Sequence, residues 1–445
     1  MKPLYIILIL FTITFAQAQE QSQFGLQDAI QYALMHNANL KKAQNNVLKA
    51  QKKVWETTAM GFPQIDGAAS YQQFIKQLVN LLPARIMNPQ APPGTYVPVK
   101  FGTEQNMKWS ATLKQLIFSG SYLVGLQSSR TFKQISENAA IKTRQKVKEA
   151  VVNAYGNALL TDASIKIMQQ NITVVEQNLF EVQQMYKNGL VEETDVEQMQ
   201  ITLSNLKNQL DYLQQMKTVA YEMLNFTMGR PVDAVLELSD DIEKLKTDHM
   251  QLDLLQKPFE ADRNIDFRMA KNQEKAKKLQ VKYEKTKALP TIAAFVNYGK
   301  NAYNNDFKFF DTTQNWYEQS LFGLNINIPI FSSFSRSARL KQAKLSYDNA
   351  QIEVKEKAKE LKLKYDKARH EYEHSFKNYD IAKDNLNLSE KIARKEQIKY
   401  KEGVGNSFQL NQARMQLYQA QQQYLQSIIE IINKKVILEN ILGKE

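Results

Sequence analysis

Residues 340–386 read LKQAKLSYDNAQIEVKEKAKELKLKYDKARHEYEHSFKNYDIAKDNL. Apolar or small side chains recur at Leu340, Ala343, Tyr347, Ala350, Val354, Ala358, Leu361, Tyr365, Ala368, Tyr372, Phe376, Tyr379, Ala382 and Leu386. The steps are threes and fours that average roughly 3.5 residues, the period of a coiled-coil seam. Several of these knobs are Ala or Tyr, which suits helices lying side by side in a wall better than helices around one thick core. Proline placement lets such helices run long. The chain has 11 prolines, none between 99 and 230 and none after 329. Proline breaks helix interiors, so both tracts are free to be helical, and both are rich in the helix formers Gln, Lys, Glu, Ala and Leu.

The chain also repeats itself. Ile117-Phe118-Ser119 returns as Ile330-Phe331-Ser332, and Tyr186-Lys187-x-Gly189 returns as Tyr400-Lys401-x-Gly403. Met228-Gly229 matches Leu442-Gly443. Phe118 to Tyr186 is 68 residues and Phe331 to Tyr400 is 69, while Leu40 to Pro63 and Phe267 to Pro290 are both 23. Self-similarity of this kind is a tandem duplication. The first copy holds an extra, Pro-rich stretch around Leu82–Val99, which reads as a surface loop. The organisation is then residues 1–18 as a leader, 19–230 as repeat 1, 231–258 as a linker, and 259–445 as repeat 2. Each repeat reads as helix, two strands, very long helix, tight turn, helix. The strands fall within about 64–118 and 291–331, and the turns within 187–195 and 401–409.

The strand signal is alternation. In Phe322-Gly-Leu-Asn-Ile-Asn-Ile-Pro-Ile330 the even positions are apolar while Gly323, Asn325 and Asn327 face the other way, and Trp109–Lys114 alternates likewise. A lipid-facing barrel strand and a half-buried soluble hairpin both satisfy this pattern. Four strands cannot close a barrel, for which about eight is the practical minimum, so their edges need other copies. The tract Ser121–Tyr186 would run ~100 Å as one helix, and Leu26–Met60 and Val191–Met228 ~50–60 Å each, at 1.5 Å per residue. Two shorter helices end to end thus match one long one.

Lys2, the apolar run Leu4–Phe15 and Ala16-Gln17-Ala18 have the three parts of a secretory signal peptide, with cleavage expected after Ala18; a buried N-terminal strand is the alternative. The chain has no cysteine, which excludes a disulfide, a thiolate metal site, a cysteine nucleophile and a lipid anchored on an N-terminal cysteine. The formal net charge is +12, and loss of residues 1–18 removes only Lys2. Export argues against nucleic acid as the partner of this basic chain, leaving an anionic surface or a solvated helix face. No later stretch is apolar enough for a transmembrane helix, so a membrane crossing requires a closed β-barrel.

His370-Glu371-Tyr372-Glu373-His374 spells the zinc-protease string. A zinc site also needs a third ligand and a second shell, and the string sits within a charged helical tract, so a solvated helix face is the stronger reading. No phosphate loop, nucleophile elbow or paired catalytic carboxylates are recognisable. No cofactor, metal site or enzyme activity is expected.

Taken together, leader, duplication, paired strands and long helices resemble the TolC family of outer-membrane efflux factors over essentially the whole chain after the leader. The most specific match is Gly189-Leu190-Val191-Glu192-Glu193-Thr194-Asp195-Val196, which looks like that family's periplasmic helix–turn–helix tip. The resemblance implies a homotrimer whose chains each give four strands to a twelve-stranded barrel in the outer membrane, and a periplasmic coiled-coil tunnel. It implies docking of Gly189, Leu190, Val191, Thr194, Asp195, Gly403 and Val404 on a periplasmic adaptor protein. That adaptor links the duct to an inner-membrane pump of RND, ABC or MFS type, for efflux or type I secretion. At the entrance, Tyr400 matches a family tyrosine that helps hold it closed. The positions of a family acidic pair are Gln409 and Gln412 here, with Glu402 the nearby carboxylate. The competing reading is a non-channel periplasmic coiled-coil adaptor or structural protein. By sequence alone, Gly189 and Gly403 end helices in the left-handed conformation, and Thr194-Asp195 caps the returning one.

Overall fold

The computed structural model describes residues 23–444; the leader expected at 1–18 lies outside them. In chain order the elements are β1 (Gln23–Phe24), α1 (Leu26–His36), α2 (Ala38–Ala59), β2 (Gln64–Gln73), β3 (Val79–Pro83), β4 (Tyr96–Lys100), β5 (Gln105–Ser119) and α3 (Gly120–Lys187). They continue with α4 (Glu193–Met228), β6 (Glu237–Leu238), α5 (Ile242–His249), α6 (Ile265–Thr286), β7 (Thr291–Asn304), β8 (Tyr317–Asn327), α7 (Ser335–Lys401) and α8 (Ser407–Leu442). The long helices match their expected bounds within one residue or two. None of the fourteen seam residues of α7 is exposed.

Three expectations need correction. The tract Leu26–Met60 is not one helix, because Asn37 divides it into α1 and α2. The segment 64–118 holds four strands: its two long ones enclose the β3–β4 hairpin in the stretch read as loop. The alternation through Ile330 ends as strand at Asn327, because Pro329 has no N–H for a ladder.

Contacts group the chain into two compact units, each drawing on both repeats. One comprises residues 46–137 and 269–356. It holds the antiparallel sheet β2-β5-β7-β8, in which β2 and β8 each keep one edge unpaired among the described residues. The register places Ile65, Leu113, Val296 and Phe322 in one row, and Gly67, Ala111, Tyr298 and Ser320 in the next. That face is mostly apolar; its one ion pair, Lys300–Glu318 at 2.8 Å, lies in the row of Trp109. The opposite face is polar. Lys114 reaches Asp66 at 3.1 Å, and Asn297 Nδ2 donates to Thr112 Oγ1 at 2.7 Å. Phe295 on this face lies over Gly323, where a Cβ would come within 2.7 Å of the ring. Behind β8, Arg336 donates to the carbonyls of Pro329 and Ile330 at 2.6 and 3.0 Å and ties strand end to helix start.

The other unit, described from residue 23, adds 138–268 and 357–444 and carries the largest apolar cluster. Its fully buried members include Phe24, Tyr155, Leu224, Met228 and Tyr372. Tyr155 Oη lies 3.1 Å from both the Phe24 carbonyl and Asp240 Oδ2, and Leu26 N–H donates to Asp240 Oδ2 at 2.7 Å. Burial works to raise the Asp240 carboxyl pKa, but hydrogen bonds from Lys244, Leu26 N–H and Tyr155 hold it below the usual range. Residues 231–258, read as a linker, supply β6 and α5 to this unit.

One joint is built twice here. Asn37 Oδ1 accepts from the N–H groups of Asn39 and Leu40 at 2.9 and 3.3 Å, capping α2, while its Nδ2 donates to the Thr227 carbonyl near the end of α4 at 2.8 Å. Asn264 does the same for α6 with Asp266 and Phe267, and donates to Ile441 near the end of α8 at 2.9 Å. Gly229 and Gly443 close the incoming helices at φ 84° and 74°. A Cβ there would meet the His36 carbonyl oxygen at 2.7 Å and collide with that of Arg263. The end-to-end pairs expected from helix lengths are therefore α4 with α2 and α8 with α6.

Each Asn at this joint satisfies orphan groups of two helices. Asn37→Ala and Asn264→Ala should each cost ~1–2 kcal/mol, read as a lowered urea midpoint by circular dichroism. Exposed Asn39→Ala should stay within ~0.5 kcal/mol. Equal losses at all three positions would mean that the joint holds nothing.

Candidate functional site

The tips of the two long hairpins gather the residues singled out in the sequence. Long helices end there because a glycine can turn the chain through positive φ at little steric cost. Gly189 stands at φ 74° and Gly403 at φ 72°, and nothing lies within 4 Å of a Cβ built at either. Both turns close by backbone bonds, Leu190 N–H to the Met185 carbonyl at 2.9 Å and Val404 N–H to the Lys399 carbonyl at 3.0 Å. These turns leave Leu190 70 % and Val404 78 % exposed at the apices. Val191 is half-buried.

The returning helices are capped differently from expectation at the first tip and from each other. Glu192, not Thr194 or Asp195, is the cap position of α4. Asp195 sits three residues on and reaches back to accept from Glu192 N–H at 3.3 Å, and Thr194 Oγ1 donates to Glu192 Oε2 at 3.3 Å. Thr194 and Asp195 are the usual cap types in this run, yet the helix is capped at Glu192, which bonds with Asp195 in a reciprocal box. At the second tip Asn406 caps α8, its Oδ1 accepting from Gln409 N–H at 2.8 Å.

Of the expected residues, Asp195 is the one that bonds across the tips. Ser407 Oγ donates to Asp195 Oδ1, and Lys401 Nζ pairs with Glu181 Oε1 at 3.3 Å. Tyr400 is 4 % exposed within an apolar cluster that includes Met168, Val182, Val196, Met199 and Leu410. Its hydroxyl has no hydrogen-bond partner among the described residues. Burial, then the negative charges of Asp195 and Glu181, push that phenol up to about 12. Glu402, Gln409 and Gln412 are exposed and take no part in this cluster.

Ser407, Glu181, Lys401 and Arg414 were missed by sequence reasoning. The first three carry the links between tips, and only Ser407 had a local signal, lying just inside a helix start. Arg414 is the one charged residue in the stretch 403–429. Its guanidinium is partly buried, Nε has no acceptor among the described residues, and burial lowers its pKa from the usual range.

His370 and His374 are exposed on α7, and Lys434 holds Glu371 at 2.9 Å and its carboxyl below the usual range. No group of three His, Cys, Asp or Glu among the described residues could hold a metal ion, and no described helix is long and apolar enough to cross a membrane.

Residues 29–230 and 260–444 match the family model described as outer membrane efflux protein, so each repeat carries one copy of the match. The chain is similar in structure to the outer membrane protein VceC of Vibrio cholerae, at TM-score 0.72 and 16 % identity, covering 94 % of this chain and 96 % of that one. The Campylobacter jejuni CmeC outer membrane channel gives TM-score 0.72 and 16 % identity, covering 94 % and 85 %. The open-state Neisseria gonorrhoeae MtrE outer membrane channel gives 0.68 and 16 %, covering 94 % and 88 %. At these identities the likeness is one of fold. No curated protein sequence matches the chain significantly.

The Asp195–Ser407 bond ties α4 to α8 within one chain. Asp195→Ala and Ser407→Ala should each lower the urea midpoint and together lose less than their sum, with a coupling of about 0.5–1.5 kcal/mol. Strictly additive losses would mean that the bond holds nothing.

Proposed function

Because the chain belongs to the outer membrane efflux protein family, we propose that three copies close one twelve-stranded barrel in the outer membrane and continue as a periplasmic helical tunnel. The observation that carries this reading is the four-stranded sheet: one face apolar, the other polar, both edges unpaired. Apolar residues face lipid and polar ones the lumen in a transmembrane barrel, and closure removes the edges. The duct is a passive exit path, so its energy comes from a pump in the inner membrane, of RND, ABC or MFS type.

The tips are the docking points for a periplasmic adaptor. Leu190 and Val404 are large apolar side chains held in water on rigid turns, the form of an anchor awaiting a pocket. Gly189 and Gly403 set those turns, Val191 packs behind the first apex, and Thr194 and Asp195 brace it. The rival reading, a coiled-coil adaptor without a barrel, leaves the apolar sheet face without a role.

The entrance closes through packing around Tyr400 and the links of Asp195 and Glu181 to the second tip. It carries no acidic pair, since Gln409 and Gln412 offer neutral amides, and the only charge from 403 to 429 is the positive Arg414. The reconstituted chain should conduct in planar bilayers and respond weakly to divalent cations added on the periplasmic side. The double change Gln409→Asp with Gln412→Asp should introduce a cation block. Absence of any conductance would contradict the duct. Strong block of the unaltered channel, abolished by Glu402→Gln, would contradict the packed entrance and place an acidic ring at Glu402.

A further inference from the structure

Residues 67–103 contain no aspartate or glutamate but carry Lys76, Arg85 and Lys100. The β3–β4 hairpin at their centre has no counterpart in the second repeat. There, β7 passes to β8 through residues 305–316, where Asp306 and Asp311 stand beside Lys308. In the hairpin, Val79 pairs with Lys100, Leu81 with Pro98 and Pro83 with Tyr96. Directly opposed residues share a face, so these six form one surface, and all six are exposed. Leu82, Val97 and Val99 on the reverse face are half-buried. Leu81 is 64 % exposed, Tyr96 60 %, and Ile86 at the hairpin tip 68 %. At its base Ile75 is 98 % exposed. Lys76 and Lys100 have no ion-pair partner among the described residues, and Arg85 Nε donates only to the Ala91 carbonyl, at 3.1 Å.

Exposed apolar area of this kind marks an interaction surface, and unneutralised cations among the apolar side chains select its partner. We propose that the hairpin lies on the anionic lipid surface of the outer leaflet, its Val79–Leu81–Tyr96 face in the headgroup boundary and Lys76, Arg85 and Lys100 against lipid phosphates. Apolar residues with Lys and Arg and no carboxylates are what such interfaces take up. The inference rests on the barrel reading, which sets this end of the sheet on the far side of the membrane from the helices. A second copy is the poorer occupant. Hairpins meeting one another would bring together cations with no carboxylate to pair them.

The cysteine-free chain allows a single label. Leu81→Cys, carrying a nitroxide, is read in the full chain reconstituted in vesicles of phosphatidylcholine alone or mixed with phosphatidylglycerol. Phe322→Cys, on the apolar face of the sheet, is the control. In the mixed vesicles the label at 81 should lose collisions with a water-soluble nickel chelate and gain collisions with oxygen. Changing Lys76, Arg85 and Lys100 to Gln should return it to water, since each cation near an anionic surface adds about a fivefold preference. A label at 81 that stays aqueous in both vesicles, with the control in lipid, overturns the inference alone. So does lipid contact that ignores composition and the triple change, or dipolar coupling between labels of different copies. A control that reads aqueous overturns the barrel reading beneath it.

Discussion

A backbone N–H or carbonyl left unpaired in hydrocarbon costs several kcal/mol, and the outer edges of β2 and β8 each present a row of backbone groups with no strand partner among the described residues. The rest of the molecule is consistent with that constraint. The sheet cannot close on four strands. Its apolar face, with Ile65, Leu113, Val296 and Phe322 in one row, is left largely uncovered among the described residues. Both shortfalls are met at once if copies join edge to edge around a polar interior, and the helices that leave the strands then continue the wall.

Duplication makes such a wall economical. Each repeat supplies two long strands, one very long helix and its tip, and each closes with the same Asn–Gly joint. At Asn37 and Asn264 one side chain caps a starting helix and satisfies the end of another. The repeats diverge at the tips and at the loop end of the sheet. The first tip is capped by an acidic box and the second by Asn406, and only the first repeat carries the cationic β3–β4 hairpin. Departures from the internal symmetry are therefore where this chain's own chemistry lies.

Much of this was legible in the sequence, for physical reasons. The α7 seam could be read because coiled-coil packing imposes its period on every turn, and the long strands because a sheet with one polar face enforces alternation. Other features were hidden because their causes are distant in the chain. The break at Asn37 involves no proline; it depends on a carbonyl at Thr227. Its signal was nonetheless present, since asparagine stands three residues before both Leu40 and Phe267. The β3 and β4 strands are short and contain Pro83 and Pro98, which mask alternation. At the tips, Tyr400 was singled out by its match to a family tyrosine, within the repeated Tyr-Lys-x-Gly string. The Ser407 and Lys401 links were not, because their partners Asp195 and Glu181 lie on the other repeat.

Edge-to-edge closure can be tested directly in a chain without cysteine. Cysteine pairs scanned along β2 and β8, one on each edge and in successive registers, are oxidised in the native membrane and run under denaturing conditions. In at least one register the chains should link covalently in a ladder that stops at three. Links confined within single chains, or a ladder that stops at two or runs on past three, would contradict closure.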